Sequence, residues 1–174
     1  MYETLVIPVF MYGSECWTLR KEDEHRIEVA EMNWLRRILR ITRLHRMRNE
    51  DIRNRLQQEV TLIDRIRKKR LSWFGHVTRM NERRLPQRAM HCYVTGRRTR
   101  GRQRKRWRDN IMEDLETRNI SLRQAVDLAG DRVKWRHFVT SSLAASWRTR
   151  KEEEEEDGLR ATVWPLWTIF TFVT

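Results

Sequence analysis

An arginine-rich stretch from Gly96 to Asp109 (G-R-R-T-R-G-R-Q-R-K-R-W-R-D) constrains the fold of this 174-residue chain more than any other feature. It holds eight cations and two glycines, and no carboxylate precedes Asp109 within it. Eight like charges repel one another and cannot be buried together, so this stretch cannot contribute to a packed core. The sequence therefore predicts an irregular, solvated arm over residues 95–106.

The arm uses arginine far more than lysine, which favours binding to phosphate. Guanidinium groups pair bidentately with phosphate oxygens and stack on bases, as ammonium groups do not. A solvated linker without any ligand remains an alternative. Residues predicted to bind nucleic acid lie in the arm and on the basic segment before it: Arg67, Lys68, Lys69, Arg70, Arg97, Arg98, Arg100, Arg102, Arg104, Lys105, Arg106, Trp107 and Arg108. For Trp107, core packing and base stacking are both open.

The overall charge indicates a polyanionic partner. The chain has 37 Lys and Arg against 24 Asp and Glu, a formal net charge of +13. RNA and/or DNA, bound without sequence preference, is favoured over an anionic membrane surface, and no membrane association is expected. Because hydrophobic residues make up 39% and charged residues 35%, we expect a modest core and heavily charged helices.

Apolar periodicity predicts an all-α fold, a small basic helical bundle in two groups joined by the arm. In the first helix, Ile27, Ala30, Trp34 and Ile38 recur at steps of three and four. The predicted helices span residues 19–41, 49–57, 61–80, 107–118, 121–129 and 131–147. Residues 85–94 fit either a short helix or a strand.

Two residues carry local structural predictions. Pro8 permits only an edge strand or irregular coil near the N-terminus, because it cannot donate to a sheet ladder. Gly75 lies inside the predicted helix 61–80, where glycine costs roughly 1 kcal/mol relative to alanine. Its presence there predicts that another backbone packs close to the helix.

Composition divides the chain into five predicted parts. They are a truncated remnant of an upstream domain (1–18), a basic helical group (19–94), the arm (95–106), a C-terminal helical group (107–147) and a tail (148–174). The tail is first acidic and then apolar, and we expect it to be disordered or non-native coding sequence. Its apolar part is shorter than the about 20 residues that cross a bilayer.

No catalytic or metal site is predicted. Cys16 and Cys92 are the two cysteines, far apart and outside any C-x-x-C spacing, which fits a nuclear or cytoplasmic protein without a metal or cofactor. Ser14 has no base at a defined spacing that could make it a nucleophile. His76 fits a packed or duplex-facing position better than a catalytic one. Adjacent aspartates that could hold two metal ions are absent from the sequence, so we expect no enzyme activity.

An ordered series of motifs runs through about residues 10–140. The motifs are Y-G-S-E-C-W (12–17), R-R-I-L-R (36–40), R-N-E-D-I-R (48–53), R-L-S-W-F-G-H-V-T-R-M (70–80), the arginine-rich stretch (96–109) and D-R-V-K-W-R (131–136). In this order they resemble the C-terminal, thumb and post-thumb region of the endonuclease–reverse transcriptases of non-LTR (LINE-type) retrotransposons.

The resemblance implies that residues 19–94 are thumb-like and grip template RNA and the primer duplex. The family's Tyr-x-Asp-Asp polymerase turn and its endonuclease site are absent from this sequence. The chain is therefore predicted to be a non-catalytic binding fragment whose parent would be an RNA-directed DNA polymerase. Two alternatives remain: a free-standing helix-turn-helix DNA-binding protein using residues 49–57 and 61–80, and a helical protein-interaction module.

Overall fold

The computed structural model describes residues 2–92 and 104–141, and within these ranges it contains helices and turns but no strand. The all-α prediction is confirmed for this part of the chain. A π-helical segment (Tyr2–Val6) comes first, and short 3-10 helices occupy Ser14–Cys16 and Arg43–His45. The α-helices are α1 (Ile7–Phe10), α2 (Lys21–Ile38), α3 (Asn49–Arg55), α4 (Leu62–Thr78), α5 (Leu85–His91), α6 (Trp107–Glu116), α7 (Leu122–Gly130) and α8 (132–141).

The six predicted helices correspond to α2, α3, α4, α6, α7 and α8, with described ends displaced by at most three residues. The ambiguous segment 85–94 is helical over α5. The end of predicted helix 131–147, the first part of the arm and the tail 148–174 lie outside the described residues.

The N-terminal segment is helical, so the expectation of an edge strand or coil was wrong. Pro8 lies in the first turn of α1. Proline is tolerated there because its fixed φ suits the helix and the missing N–H is least needed. The buried side chains of Tyr2, Ile7 and Met11 attach this segment to the core.

Helix α4 is central because it contributes to both hydrophobic clusters. Leu62, Ile63 and Ile66 belong to a first cluster shared with the N-terminal segment, α2 and α3. Leu71 and Phe74 belong to a second cluster shared with α6, α7 and α8. The two cores therefore divide within α4 between residues 66 and 71, and the predicted boundaries between helical groups remain a prediction.

Helix α8 reaches α4 through one aromatic side chain. The Trp135 indole Nε1 donates a hydrogen bond to the Leu71 carbonyl at 3.0 Å. A Cβ placed on Gly75 would lie 2.1 Å from that same nitrogen. A neighbour does approach Gly75 closely, but it is the side chain of Trp135 and not the backbone that was predicted; the indole needs the space that glycine leaves.

Candidate nucleic-acid interface

Arg70, one of the predicted binding residues, is part of the interior. Its side chain is 1% exposed, and its Nε and Nη2 donate to Oδ2 and Oδ1 of Asp114 at 2.7 and 2.8 Å. A guanidinium held at two points and closed off from solvent cannot meet a phosphate in this fold. We therefore leave Arg70 out of the interface.

Arg67 is also held by carboxylates. Its Nη2 donates to Glu24 Oε2 at 3.1 Å, and its Nε lies 3.6 Å from Asp114 Oδ1. Burial raises the pKa of the Asp114 carboxyl, although the guanidinium groups of Arg70 and Arg67 oppose this. Burial likewise lowers the pKa of the nearby Arg118 guanidinium. The cluster ties α2, α4 and α6 together, so Arg67 has a structural role.

Lys68 and Lys69, which lie between Arg67 and Arg70, differ in their surroundings. Lys69 donates from Nζ to the Met11 carbonyl at 2.8 Å, which links α4 to the N-terminal segment. Lys68 is half-buried, and no side chain of the described residues forms an ion pair or hydrogen bond with it. Of the four predicted residues on α4, Lys68 lacks such contacts, and the exposed Lys69 keeps further N–H donors beyond the one bound to Met11.

The described part of the arm runs from residue 104 into α6. Lys105 Nζ contacts Glu113 Oε2 at 2.6 Å. The Arg106 backbone N–H donates to Asp109 Oδ2 at 2.7 Å, which begins α6. The exposed arginines are Arg104, Arg106 and Arg108. The other predicted arm residues, Arg97, Arg98, Arg100 and Arg102, lie outside the described residues.

Trp107 anchors the start of α6. Its indole Nε1 donates to the Glu15 carbonyl at 2.7 Å, and the half-buried ring packs against the second cluster. Three residues later, Asn110 Nδ2 donates to the Leu19 carbonyl at 2.9 Å. Because the indole is engaged in both a hydrogen bond and packing, the structure favours the core alternative for Trp107.

A groove between α4 and α8 presents the clearest cationic site. It encloses about 380 Å³, and among residues 2–92 and 104–141 no carboxylate lines it. The polar side chains that line it are Lys68, Ser72, His76, Arg79, Arg132, Arg136 and Thr140. Arg79 is partly engaged, since its Nη1 donates to the Ala129 carbonyl at 2.6 Å. Lysine, guanidinium and hydroxyl groups are the donors that bind phosphate oxygens.

Helical spacing explains how these side chains share one groove. Lys68, Ser72 and His76 follow at steps of four on α4, so they lie on one face. Arg132 and Arg136 have the same spacing on α8. Neither these two arginines nor Arg79 was among the residues predicted to bind nucleic acid. The i, i+4 spacing of Arg132 and Arg136 was visible, but the face of α4 beside them is decided by the docking of Trp135.

His76 lies at the edge of this groove beside an aromatic ring. It is exposed, and its ring centroid is 5.3 Å from that of Trp73, with the planes tilted by 43°. The half-buried Trp73 and the exposed imidazole together form a small aromatic surface next to the cations. Such surfaces can receive an unstacked base.

Neither a metal centre nor a membrane span is found where the structure is described. Within residues 2–92 and 104–141, no three His, Cys, Asp or Glu side chains are grouped so that they could hold a metal ion. Among the same residues, no helix is long and apolar enough to cross a bilayer.

Sequence comparison relates the chain to one kind of protein. It is 29% identical over 143 residues to an uncharacterized transposon-derived protein of Caenorhabditis elegans, a match covering 78% of this chain and 51% of the relative. The chain thus spans about half the length of that relative. No model of a protein family and no solved structure matches the chain. The similarity supports a transposon origin.

Proposed function

We propose that this chain is a non-catalytic, nucleic-acid-binding part of a LINE-type retrotransposon reverse transcriptase, which holds template RNA and primer duplex by their phosphates. The observation that carries the proposal is the groove between α4 and α8, which four cations line and no carboxylate of the described residues lines. The similarity to a transposon-derived protein supports a transposon origin, and the ordered motifs of the sequence add the resemblance to LINE-type enzymes.

The chemistry of the groove suits the nucleic-acid backbone rather than particular bases. Phosphate contacts position a nucleic acid but carry no sequence information, whereas base reading needs side chains fixed against base edges. Lys68, Arg132 and Arg136 offer charge, and in the part of the chain that the structure describes no asparagine or glutamine lines the groove beside them. Binding should therefore be sequence-independent and should weaken steeply as salt concentration rises.

The helix-turn-helix alternative receives less support from the packing. Nine of the 17 residues of α4 are buried, and both of its ends belong to hydrophobic clusters. A recognition helix has to place its side chains into a major groove about 12 Å wide. Since α4 is enclosed by α2, α6, α7 and α8, it serves as the scaffold of the bundle.

The first experiment is a fluorescence anisotropy titration of a short single-stranded RNA and an RNA–DNA hybrid at three salt concentrations. The groove variant combines Lys68→Ala, Arg132→Ala and Arg136→Ala. If each side chain binds a phosphate, the slope of log K against log[salt] on the single strand should flatten by about 2, at roughly 0.7 per phosphate.

A matched control separates local binding from general charge. Arg26→Ala, Arg55→Ala and Arg123→Ala remove the same charge from exposed positions on α2, α3 and α7. The control should keep nearly the wild-type slope. Equal changes of the salt slope in both triple variants would reject the groove as the binding site. Salt-insensitive binding of another protein, together with no RNA binding, would favour the interaction-module alternative.

The second experiment addresses catalysis. In the proposed function this chain binds nucleic acid, and residues outside this chain carry out the polymerase chemistry of the parent reverse transcriptase. In primer extension on an RNA template with Mg²⁺ or Mn²⁺, the chain alone should form no product above a control without protein. Product in excess of that control would reject the non-catalytic assignment.

A further inference from the structure

A second cationic surface lies in the turn between α2 and α3. Between Glu31 and Glu50 the chain has no carboxylate and no lysine. The same interval holds six arginines: Arg36, Arg37, Arg40, Arg43, Arg46 and Arg48. We call residues 39–48 the basic turn. It does not border the groove between α4 and α8, and the proposed function has not used it.

The basic turn has a defined backbone. Two arginines adopt left-handed conformations, Arg40 with φ of 55° and Arg46 with φ of 48°. Between them, the Thr42 backbone N–H donates to His45 Nδ1 at 3.2 Å, and the His45 N–H donates to the Thr42 carbonyl at 3.2 Å. Non-glycine residues hold such conformations only when surrounding contacts impose them.

The two ends of the turn are anchored in the core, and its tip faces solvent. Leu39 and Met47 pack against the first cluster. Leu44, in the middle of the 3-10 helix Arg43–His45, is 89% exposed, more than any other large apolar side chain of the described residues. A single exposed leucine is ordinary. Leu44 differs because a fixed turn presents it between arginines.

These features together select one kind of partner. Arginines on both sides of Leu44 favour a polyanion, and the exposed apolar tip favours a polyanion that also offers an apolar surface. A nucleic-acid double helix has both, with phosphates outside and stacked bases inside. Apolar side chains such as leucine are known to enter between base steps when basic residues hold the flanking backbone.

We infer that the basic turn binds duplex nucleic acid and that Leu44 enters between two base pairs as a wedge, while the neighbouring arginines hold the phosphates on either side. The inference rests on the proposed function, because it names the duplex as the form of nucleic acid that the basic turn binds. It adds a base-unstacking step that the groove does not require.

The test uses a duplex carrying a fluorescent adenine analogue whose emission rises when it unstacks. The analogue is placed at a TA step, which unstacks easily, and in a second duplex within an A-tract, which is stiff. The wild-type chain should raise the emission at the TA step more than in the A-tract. Leu44→Ser should abolish the rise and weaken duplex binding several-fold without changing the salt slope.

Leu85→Ser is the matched control. Leu85 is also exposed, at 76%, and begins α5 away from the basic turn. This variant should behave as the wild type in both measurements. The wedge would be overturned if Leu44→Ser left the rise in emission at the TA step unchanged. It would also be overturned if Leu85→Ser reduced that rise as much as Leu44→Ser does.

Failure of the inference is distinguishable from failure of the proposed function. If the wild type binds RNA and duplex through the groove but leaves emission unchanged, only the wedge is overturned. If the wild type binds no nucleic acid at any salt concentration, both proposals fail. Sedimentation velocity without nucleic acid is a further measurement. Self-association of the wild type that Leu44→Ser removes would identify a second copy of the chain as the partner of Leu44 and would overturn the wedge.

Discussion

Arg70 on α4 and Asp114 on α6 form a two-point ion pair in the interior, with side-chain exposures of 1% and 4%. The pair lies where the two hydrophobic clusters divide along α4, and Arg67 approaches the same carboxylate. Burial is the largest influence on the Asp114 carboxyl and raises its pKa. The pair therefore fixes the position of α6 on α4 more than it adds net stability, as a buried ion pair often does.

We expect Asp114→Ala to lower the free energy of unfolding by about 3–5 kcal/mol, because it leaves Arg70 buried without its partner. Arg70→Met should cost less, since Arg67 still approaches Asp114. The double variant Arg70→Met/Asp114→Leu should recover much of the loss. Urea unfolding followed by circular dichroism measures all three. A double variant no more stable than Asp114→Ala would contradict this account.

Gly75→Ala should destabilise the chain by about 1–3 kcal/mol, because the new methyl group overlaps the Trp135 indole and forces it out of place. Gly130→Ala is the matched control, since no atom lies within 4 Å of its Cβ position and it ends α7. It should be neutral or stabilising by about 0.5–1 kcal/mol. Thermal unfolding compares them, and equal midpoints would show that Trp135 does not pack as described.

Trp107→Ala should lower stability by about 2 kcal/mol, less than the loss of a fully buried tryptophan, because the ring is half-buried. Trp107→Phe should remove mainly the hydrogen bond to Glu15, about 1 kcal/mol. Both should keep the wild-type slope of RNA binding against salt. A selective loss of single-strand affinity with unchanged stability would instead identify Trp107 as a base-stacking residue.

Removing arm charges should flatten the salt dependence of RNA binding. The variant combines Arg100→Ala, Arg102→Ala, Arg104→Ala and Arg106→Ala, and we expect the slope to flatten by about 0.7 for each phosphate that the variant no longer binds. The wild-type slope should be roughly −3 to −4 if the chain binds about five phosphates of a single strand. Anisotropy titrations give both values. A quadruple variant that keeps the full slope would show that the arm is a solvated linker.

Stability should fall in alkaline solution through Tyr2. Burial, and then the charge of Glu31, raises the pKa of its phenol, whose hydroxyl donates to Glu31 Oε1 at 3.4 Å. Below the unfolded pKa of about 10 the phenol is protonated in both states; above it the unfolded chain releases the proton first and is favoured. Tyr2→Phe should remove this part of the loss, whereas Tyr12→Phe, at an exposed position, should not. Identical profiles for both variants would contradict the assignment.

Most helices could be predicted from the sequence because their signals are local. Thr61 caps α4 by accepting the Asp64 N–H at 3.1 Å, and Ser121 accepts the Gln124 N–H at 3.3 Å, as their spacing indicates. The prediction near Pro8 was wrong because proline is excluded from a helix interior but tolerated in the first turn of a helix. Nothing local distinguishes these two positions when the start of the helix is unknown.

The sequence by itself determined the helical class and the strongly positive charge, since apolar periodicity, caps and composition act within a few residues or over the whole chain. Only the tertiary structure decided which cations can meet a ligand. Lys68 and Arg70 are two residues apart in one basic run. Lys68 nevertheless lines a groove, whereas Arg70 is buried in an ion pair with Asp114. Their difference depends on which face of α4 receives α6 and which receives α8, and that choice is made by contacts between residues distant in the chain, such as Trp135 with Gly75.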